Sequence, residues 1–190
     1  MPQPRAKKAP SKAVPRFRHP TGASLAYIGI GSNLAHPRRQ LARAIAEMAR
    51  LPRTRLAAVS PNYLSEPLGA SGPQPDYVNA VAALVTSLAA PALLKHMRAI
   101  ERRHGRPPAK LRLRNAARTL DLDLLLFGRR RSRQRALTLP HPRMHQRAFV
   151  LRPLLDIAPA VIIPGRGSAR RWLRELHGQR IARTRRHTRL

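Results

Sequence analysis

The chain has 190 residues, of which 38 are Lys or Arg and only 8 are Asp or Glu, so its formal net charge is +30. This length suits one domain with a buried core and is too short for two. Cysteine is absent, which excludes disulfides, thiolate chemistry and cysteine-based zinc sites. No apolar run reaches the roughly 18 residues of a membrane-spanning helix, and the N-terminal residues lack the apolar segment typical of a secretory signal. We therefore expect a cytoplasmic protein.

Both ends of the chain are strongly basic. Residues 1–23 are rich in Pro, Lys and Arg and are predicted to be a disordered tail, and residues 178–190 are predicted to be a second basic tail. The folded domain is expected over residues 24–177. The charge favours association with polyanions at low salt, but only 4% of residues are aromatic, so stacking platforms are scarce. Nucleic-acid association is therefore assigned to the tails, as a side property.

Hydrophobic periodicity predicts a β-α-β-β-α-β order in the first part of the domain. The predicted elements are a strand at 25–31, a helix from Pro37 to about Arg50, strands at 56–63 and 77–86, a helix from about Ala90 that stops at Gly105, and a strand at 121–127. This order is that of a ferredoxin-like α+β sandwich. Added C-terminal elements are predicted at 137–139 and 161–163 (strands) and at 147–155 and 168–176 (helices).

Two of the scarce acids, Asp121 and Asp123, stand two residues apart at the start of an apolar run. Alternate residues of a strand point to the same face, so the two carboxylates lie side by side. Like charges at this spacing repel unless a cation lies between them, and Mg²⁺ with a phosphate substrate is the natural partner. The alternative is a strand end whose acids face solvent.

Basic side chains are concentrated in the loop at 106–118, just before these carboxylates: Arg106, Lys110, Arg112, Arg114 and Arg118. Guanidinium groups beside a carboxylate metal site are what a polyphosphate requires. In so Arg-rich a chain most arginines are surface residues. Two of these arginines are stronger site candidates because of their positions: Arg106 follows the second helix, and Arg118 precedes Asp121 by three residues.

Further candidates each have an ordinary structural interpretation. His141 lies between Pro140 and Pro142, so a stiff loop presents its imidazole, although taken alone a turn histidine is the favoured interpretation. Tyr77 and Asn79 share a strand face and offer a ring and an amide to a flat heterocycle. An ordinary core Tyr and a strand-end Asn would give the same sequence pattern. Phe149 is also a core candidate, and Glu101 an ion-pair candidate.

Taken together, these segments resemble 6-hydroxymethyl-7,8-dihydropterin pyrophosphokinases of folate biosynthesis. The resemblance covers about residues 25–165, and R-T-L-D-L-D followed by P-H-P is its most specific part. The matching segments are AYIGIGSNL from Ala26, the stretch from Ser60 through Tyr63 to Gly69, QPDYVNA from Gln74, Ile100-Glu101, RTLDLD from Arg118, LPHP from Leu139 and RAFVLRPL from Arg147.

The resemblance implies transfer of a pyrophosphoryl group from ATP to the pterin hydroxymethyl oxygen, with release of AMP. It implies that two Mg²⁺ ions are held by Asp121 and Asp123, and that catalysis also uses Arg106 and Arg118. The ATP-binding residues that it implies are Glu101, Arg106, Arg118, His141 and Arg147. The pterin-binding residues that it implies are Ser65, Leu68, Tyr77, Asn79 and Phe149. The 106–118 loop is expected to close over ATP, and the chain to act as a monomer.

The chain departs from the family pattern in two loops. The usual R-W-G-P-R reads Arg114-Asn115-Ala116-Ala117-Arg118 here, so the aromatic lid contact is lost, and a longer loop leaves Lys110 and Arg112 as uncertain equivalents. At the pterin-side loop, Ser65 and Glu66 replace Thr and Pro. We expect weaker affinity for ATP or for the pterin than in a typical member, or a lid loop that loses more conformational entropy on closing.

Two other functions are weighed against this one. A nucleotidyltransferase combines Gly-Ser with D-x-D, but here Gly31-Ser32 lies roughly ninety residues from Asp121, against about a dozen in that class. A catalytically impaired homologue acting as a basic RNA-associated protein explains the charge and the lost Trp. It does not explain why scarce acids persist at positions 101, 121 and 123.

Overall fold

The computed structural model describes residues 22–69, 72–107 and 116–184. Most of the predicted lid loop, including Lys110, Arg112, Arg114 and Asn115, lies outside the described residues. The same is true of residues 1–21 and 185–190, which make up most of the two predicted tails. None of the described helices is long and apolar enough to cross a membrane.

Ten strands and four α-helices make up the described fold. The strands are β1 (Ser24–Ser32), β2 (Thr54–Val59), β3 (Tyr63–Ser65), β4 (Tyr77–Thr86), β5 (Asp121–Phe127), β6 (Ser132–Gln134), β7 (Leu137–Leu139), β8 (Ile162–Ile163), β9 (Gly167–Ser168) and β10 (Ile181–Arg183). The helices are α1 (Pro37–Ala49), α2 (Ala90–Arg103), α3 (Ala148–Ile157) and α4 (Ala169–Glu175). A 3₁₀ turn at Met144–Gln146 precedes α3.

One antiparallel sheet organises the domain. Its order is β10-β3-β4-β1-β5, and β2 pairs with β4 beyond β3. Two small hairpins, β6–β7 and β8–β9, lie outside it. Side chains of the central strands alternate between two faces that are both covered. β4 is therefore buried on both sides and is apolar along nearly its whole length.

The two sheet faces are covered by different helices. On one face, Ile28 and Ile30 of β1 pack with Leu41 of α1 and Leu93 of α2. On the other, Val81 and Leu125 pack with Leu151 and Leu154 of α3 and with α4. On this second face β1 presents Gly29 and Gly31 after Tyr27, so part of the face is left without bulky side chains. That uncovered part is where the site forms.

The mixed α+β class predicted from the sequence is confirmed, with an antiparallel sheet and four α-helices. The strand predicted at 56–63 is divided into β2 and β3, because Pro61 has no N–H to continue the ladder. The predicted C-terminal tail also differs from the structure. Its first residues supply β10, which pairs with the edge strand β3 through Ile181↔Ser65 and Arg183↔Tyr63.

Candidate active site

A row of residues across three strands forms the floor of the site. Gly31 of β1 pairs with Asn79 of β4 on one side and with Asp121 of β5 on the other. In the next row outward-facing Gly29 pairs with Val81 and with Asp123. A Cβ added at Gly31 would lie 3.3 Å from Asn79 Oδ1. Glycine therefore keeps the space between the amide and the carboxylate open.

A cavity of about 230 Å³ lies above this floor. It is bounded by the loop after β3 and by the first turn of α3. The predicted site residues that line it are Ser65, Leu68, Tyr77, Asn79, Arg106, Arg118, Asp121, Asp123, Arg147 and Phe149. The structure thus brings together ten of the predicted positions, from five separate parts of the chain, in one cavity.

The two carboxylates have different surroundings. Asp121 accepts ion pairs from Arg106 Nη1 at 2.8 Å and from Arg118 Nη1 at 2.9 Å. The basic side chains nearest to Asp123 are more distant, because the Arg147 guanidinium (Nη1) and the His141 imidazole (Nε2) both lie 3.7 Å from Asp123 Oδ2. Asp121 is therefore neutralised by direct contacts, whereas Asp123 is not.

Burial and neighbouring charges change the protonation of this end of the cavity. Burial, followed by the charge of Asp121, raises the pKa of Asp123 to about 6 against the opposing pull of three arginines. Burial, helped by Arg147 and Arg143, lowers the pKa of His141 to about 4, so that imidazole is neutral at pH 7. The backbone N–H of Arg143 donates to His141 Nδ1 at 3.3 Å, which leaves the proton of the neutral ring on Nε2.

Glu101 and His141 are the two predicted site residues that do not line the cavity. Glu101 is 3% exposed, and its Oε1 accepts the backbone N–H of Leu122 at 2.8 Å. The same carboxylate forms an ion pair with Arg106. Glu101 therefore holds the β5 backbone and one arginine in place from behind the cavity, and His141 lies beside Asp123.

The opposite end of the cavity combines an amide with two rings. Asn79 Nδ2 donates to Ser65 Oγ at 2.9 Å, and no described protein donor is bonded to Asn79 Oδ1. Tyr77 is half-buried and its hydroxyl donates to Ala116 O at 3.3 Å. Phe149 is also half-buried, and the Arg147 guanidinium lies 5.5 Å from its ring centroid. A flat polar heterocycle would find both stacking surface and a hydrogen-bond acceptor here.

Asn33, which directly follows β1, also contributes to the site but was not among the candidate residues predicted from the sequence. It is buried, and its Oδ1 accepts the backbone N–H of Arg118 at 2.8 Å. Its Nδ2 donates to Pro75 O at 3.1 Å. It therefore joins the segment before β5 to the segment before β4. Arg143, which also lines the cavity, was missed because one more arginine carries no signal in this sequence.

The donor set suits a hard divalent cation that is shared with a substrate. The described residues contain no group of three or more His, Cys, Asp or Glu able to hold a metal alone. They do place two carboxylates on one strand face, where burial, followed by the charge of Asp121, raises the pKa of Asp123. Mg²⁺ is commonly bound by one or two carboxylates together with substrate phosphates. The residues present therefore fit such an ion.

This fold and site define a class of protein: an α+β enzyme whose cavity pairs carboxylates and guanidiniums with a heterocycle pocket, as group transfer from a nucleotide requires. The comparisons with known proteins identify the family. The 7,8-dihydro-6-hydroxymethylpterin-pyrophosphokinase (HPPK) family model matches residues 27–159, and the chain belongs to that family.

Similar curated proteins agree with this assignment. The chain is 51% identical over 138 residues to the 2-amino-4-hydroxy-6-hydroxymethyldihydropteridine pyrophosphokinase of Pseudomonas aeruginosa, which covers 73% of this chain and 83% of that protein. It is 45% identical over 140 residues to the Haemophilus influenzae protein of the same name, covering 73% and 84% of the two chains. The resemblance seen in the sequence is confirmed, and the chain is an ATP-using diphosphokinase, a transferase.

Solved structures show the same fold at low sequence identity. The chain superposes on the wild-type HPPK-DHPS of Plasmodium falciparum with a TM-score of 0.61 and 10% identity, covering 80% of this chain and 44% of that one. A second HPPK-DHPS structure, in complex with substrates, gives a TM-score of 0.58 and 12% identity. It covers 80% of this chain and 43% of its own. The chain therefore spans less than half the length of these structural neighbours.

Proposed function

We propose that the cavity on the floor formed by Asn79, Gly31 and Asp121 is where ATP transfers its pyrophosphoryl group to the hydroxymethyl oxygen of 6-hydroxymethyl-7,8-dihydropterin. The carrying observation is the strand register, which sets the amide and the carboxylate on either side of one glycine in a single cavity. The two substrates would then meet above Gly31. Their reacting atoms would be held close together, which is the main requirement of this chemistry.

The pterin is proposed to occupy the end lined by Tyr77, Asn79 and Phe149. Because Asn79 Nδ2 is already bonded to Ser65 Oγ, its Oδ1 is oriented to accept N–H groups of the pterin. The two aromatic side chains supply surface for the flat ring. The backbone of the loop from Ser65 to Leu68 closes that end.

The ATP phosphates are proposed to occupy the end lined by Arg106, Arg118 and Arg147. Arg106 and Arg118 are held against Asp121 at 2.8 and 2.9 Å. Both guanidiniums would turn from the carboxylate to phosphate oxygens when the nucleotide enters, because Asp121 then serves as a metal ligand. Glu101 would act through Arg106, which it positions.

Two Mg²⁺ ions are proposed to be held by Asp121 and Asp123. When bound, such ions neutralise the phosphate oxygens and favour displacement at the β-phosphorus. The protein's own contribution is the placement of both carboxylates on one face of β5. His141, neutral and beside Asp123, would contact the nucleotide without adding a charge.

Two variants and one matched control test this division of the cavity. Asn79→Leu should weaken pterin binding by about tenfold to a hundredfold, since a bound N–H loses its acceptor, and should leave ATP binding within about threefold. Arg118→Gln should lower turnover by about a hundredfold or more while pterin binding persists. Arg98→Gln, at an exposed position on α2, is the charge-matched control and should change neither.

Isothermal titration of each variant with the pterin, and with Mg²⁺ and a non-hydrolysable ATP analogue, separates the two ends. Loss of both ligands in Asn79→Leu, with the fold intact by circular dichroism, would contradict the proposed placement. So would a normal turnover number in Arg118→Gln.

A further inference from the structure

A second concentration of charge lies on β6 and on the segments immediately before and after it. Five of the seven residues from 129 to 135 are arginine and all five are exposed: Arg129, Arg130, Arg131, Arg133 and Arg135. We call this segment the arginine hairpin. No carboxylate of the described residues lies within 4.0 Å of any of these guanidiniums, and none of the five lines the cavity. The arginine hairpin therefore lies outside the cavity proposed for pyrophosphoryl transfer.

Core packing, strand pairing and a hydrogen bond hold the arginine hairpin in place. Leu137 and Leu139 of β7 are buried in the main core, and β6 pairs with β7 through Arg133↔Thr138. Thr138 Oγ1 donates to Gln134 O at 3.1 Å across the two-residue turn. The guanidinium of Arg131 packs against Gly165, whose added Cβ would lie 3.1 Å from Arg131 Cζ. The charges are thus presented on a short, anchored ribbon.

This arrangement is unfavourable for the free protein. Like charges on neighbouring positions of a ribbon repel, and nothing acidic among the described residues compensates them. A polyanion placed against the ribbon would remove this repulsion and would release its own counterions. Guanidinium groups also match phosphate oxygens with two parallel hydrogen bonds each.

The exposure of the aromatic rings distinguishes between a single-stranded and a duplex nucleic acid as the bound polyanion. Tyr27, Tyr77, Phe149 and Trp172 are only half-exposed at most, and Tyr63 and Phe127 are buried, so no described aromatic ring stands on the surface. Single-stranded nucleic acids are held largely by base stacking on exposed rings. A two-stranded β-ribbon, by contrast, has dimensions that fit the major groove of a B-form duplex. We propose that the arginine hairpin binds the phosphate backbone of a nucleic-acid duplex.

Two variants of the full chain with equal charge test the proposal. The hairpin variant replaces Arg129, Arg130, Arg133 and Arg135 with Gln, and spares Arg131 because it packs on Gly165. The control variant replaces four exposed arginines of α1 and α2 with Gln, which removes the same charge elsewhere: Arg39, Arg43, Arg98 and Arg102. Both keep the tails, so any contribution of the tails is common to the two proteins.

Binding is measured by fluorescence anisotropy with labelled 20-base-pair DNA and RNA duplexes, over a range of salt concentrations. The hairpin variant should bind at least tenfold more weakly than the control variant, and its slope of log K against log salt should be shallower by about 3. Both variants should turn over ATP and pterin at the rate of the unmodified chain. The DNA and RNA arms show which duplex is preferred.

Three results would overturn the proposal. An equal loss of affinity in the two variants would assign the binding to overall charge. Tighter binding of a single strand than of the duplex would contradict backbone recognition of a duplex. Competition by polyglutamate as effective as that by the duplex, at equal charge, would indicate an acidic protein surface as the partner.

Discussion

Replacing the two neighbouring carboxylates should change stability in opposite directions in the metal-free protein. The pKa of Asp123 is raised to about 6 because the folded protein disfavours its ionised form. The difference between this pKa and the ordinary pKa of an aspartate corresponds to about 3 kcal/mol. The side chain is 33% exposed, so solvent screening reduces this to about 1 kcal/mol. Asp123→Asn should therefore stabilise the chain by about 1 kcal/mol at pH 7.5.

Asp121→Asn should do the reverse. The substitution breaks two ion pairs, at 2.8 and 2.9 Å, whose members are 15% to 25% exposed. Their loss costs about 1–3 kcal/mol, between the values for exposed and buried pairs. Removal of the Asp121 charge also relieves Asp123, which returns part of that cost. We expect a net destabilisation of about 1–2 kcal/mol.

Thermal unfolding in EDTA between pH 4 and pH 8 measures both effects. A change of 1 kcal/mol moves the midpoint by about 2–4 °C in a chain of this size. The folded protein disfavours the ionised form of Asp123, which the unfolded chain adopts above about pH 4. The unmodified chain should therefore lose stability as the pH rises from about 4 to 6. Asp123→Asn should lack that loss and should match the unmodified chain at pH 4. Destabilisation by Asp123→Asn at pH 7.5 would refute the conclusion that the folded protein disfavours the ionised form of Asp123.

Three further predictions concern other parts of the structure. Gly31→Ala should raise the KM for the pterin by about tenfold, equivalent to about 1.4 kcal/mol, because the added Cβ would lie 3.3 Å from Asn79 Oδ1. In steady-state kinetics the KM for ATP should stay within twofold of that of the unmodified chain. Unchanged KM values for both substrates would contradict the geometry described for the cavity floor. His104→Ala should destabilise the chain by about 2–3 kcal/mol in urea unfolding, because it removes a buried ring and its 2.7 Å hydrogen bonds to Gln40 and Glu47. A change below about 1 kcal/mol would show that these bonds contribute little. Burial, followed by the charge of Arg166, lowers the pKa of His145, so its stability contribution is present above about pH 6.5 and is lost on acidification. The urea midpoint should therefore fall less between pH 7 and pH 5 in His145→Phe than in the unmodified chain, and an equal fall in both would contradict the prediction.

Local patterns predicted most of the sheet and helices, and the reasons are particular to each element. Leu41, Ile45 and Met48 recur at helical spacing, and α1 forms there with Pro37 at its start. The alternation around Asp121 and Asp123 placed both carboxylates on one face of β5, as observed. Such signals are contained within a dozen residues, so a single sequence is sufficient to find them.

Non-local pairing could not be predicted in the same way. The segment from Ile181 reads as a basic tail, and it becomes β10 only because the edge of β3 offers free backbone groups. Glu101 gave no signal that it would be buried, since its role depends on the N–H of Leu122 and on Arg106. The register that sets Gly31 between Asn79 and Asp121 likewise depends on three strands together.

The nucleotide product of the reaction tests the central claim most directly. The purified chain is incubated with ATP, Mg²⁺ and 6-hydroxymethyl-7,8-dihydropterin, and AMP, ADP and the pterin products are separated by ion-exchange chromatography. The account predicts AMP and pterin diphosphate in equal amounts, no AMP without the pterin, and loss of both products in Asp121→Ala and in Asp123→Ala. Formation of ADP with a pterin monophosphate, or undiminished turnover in either variant, would contradict it.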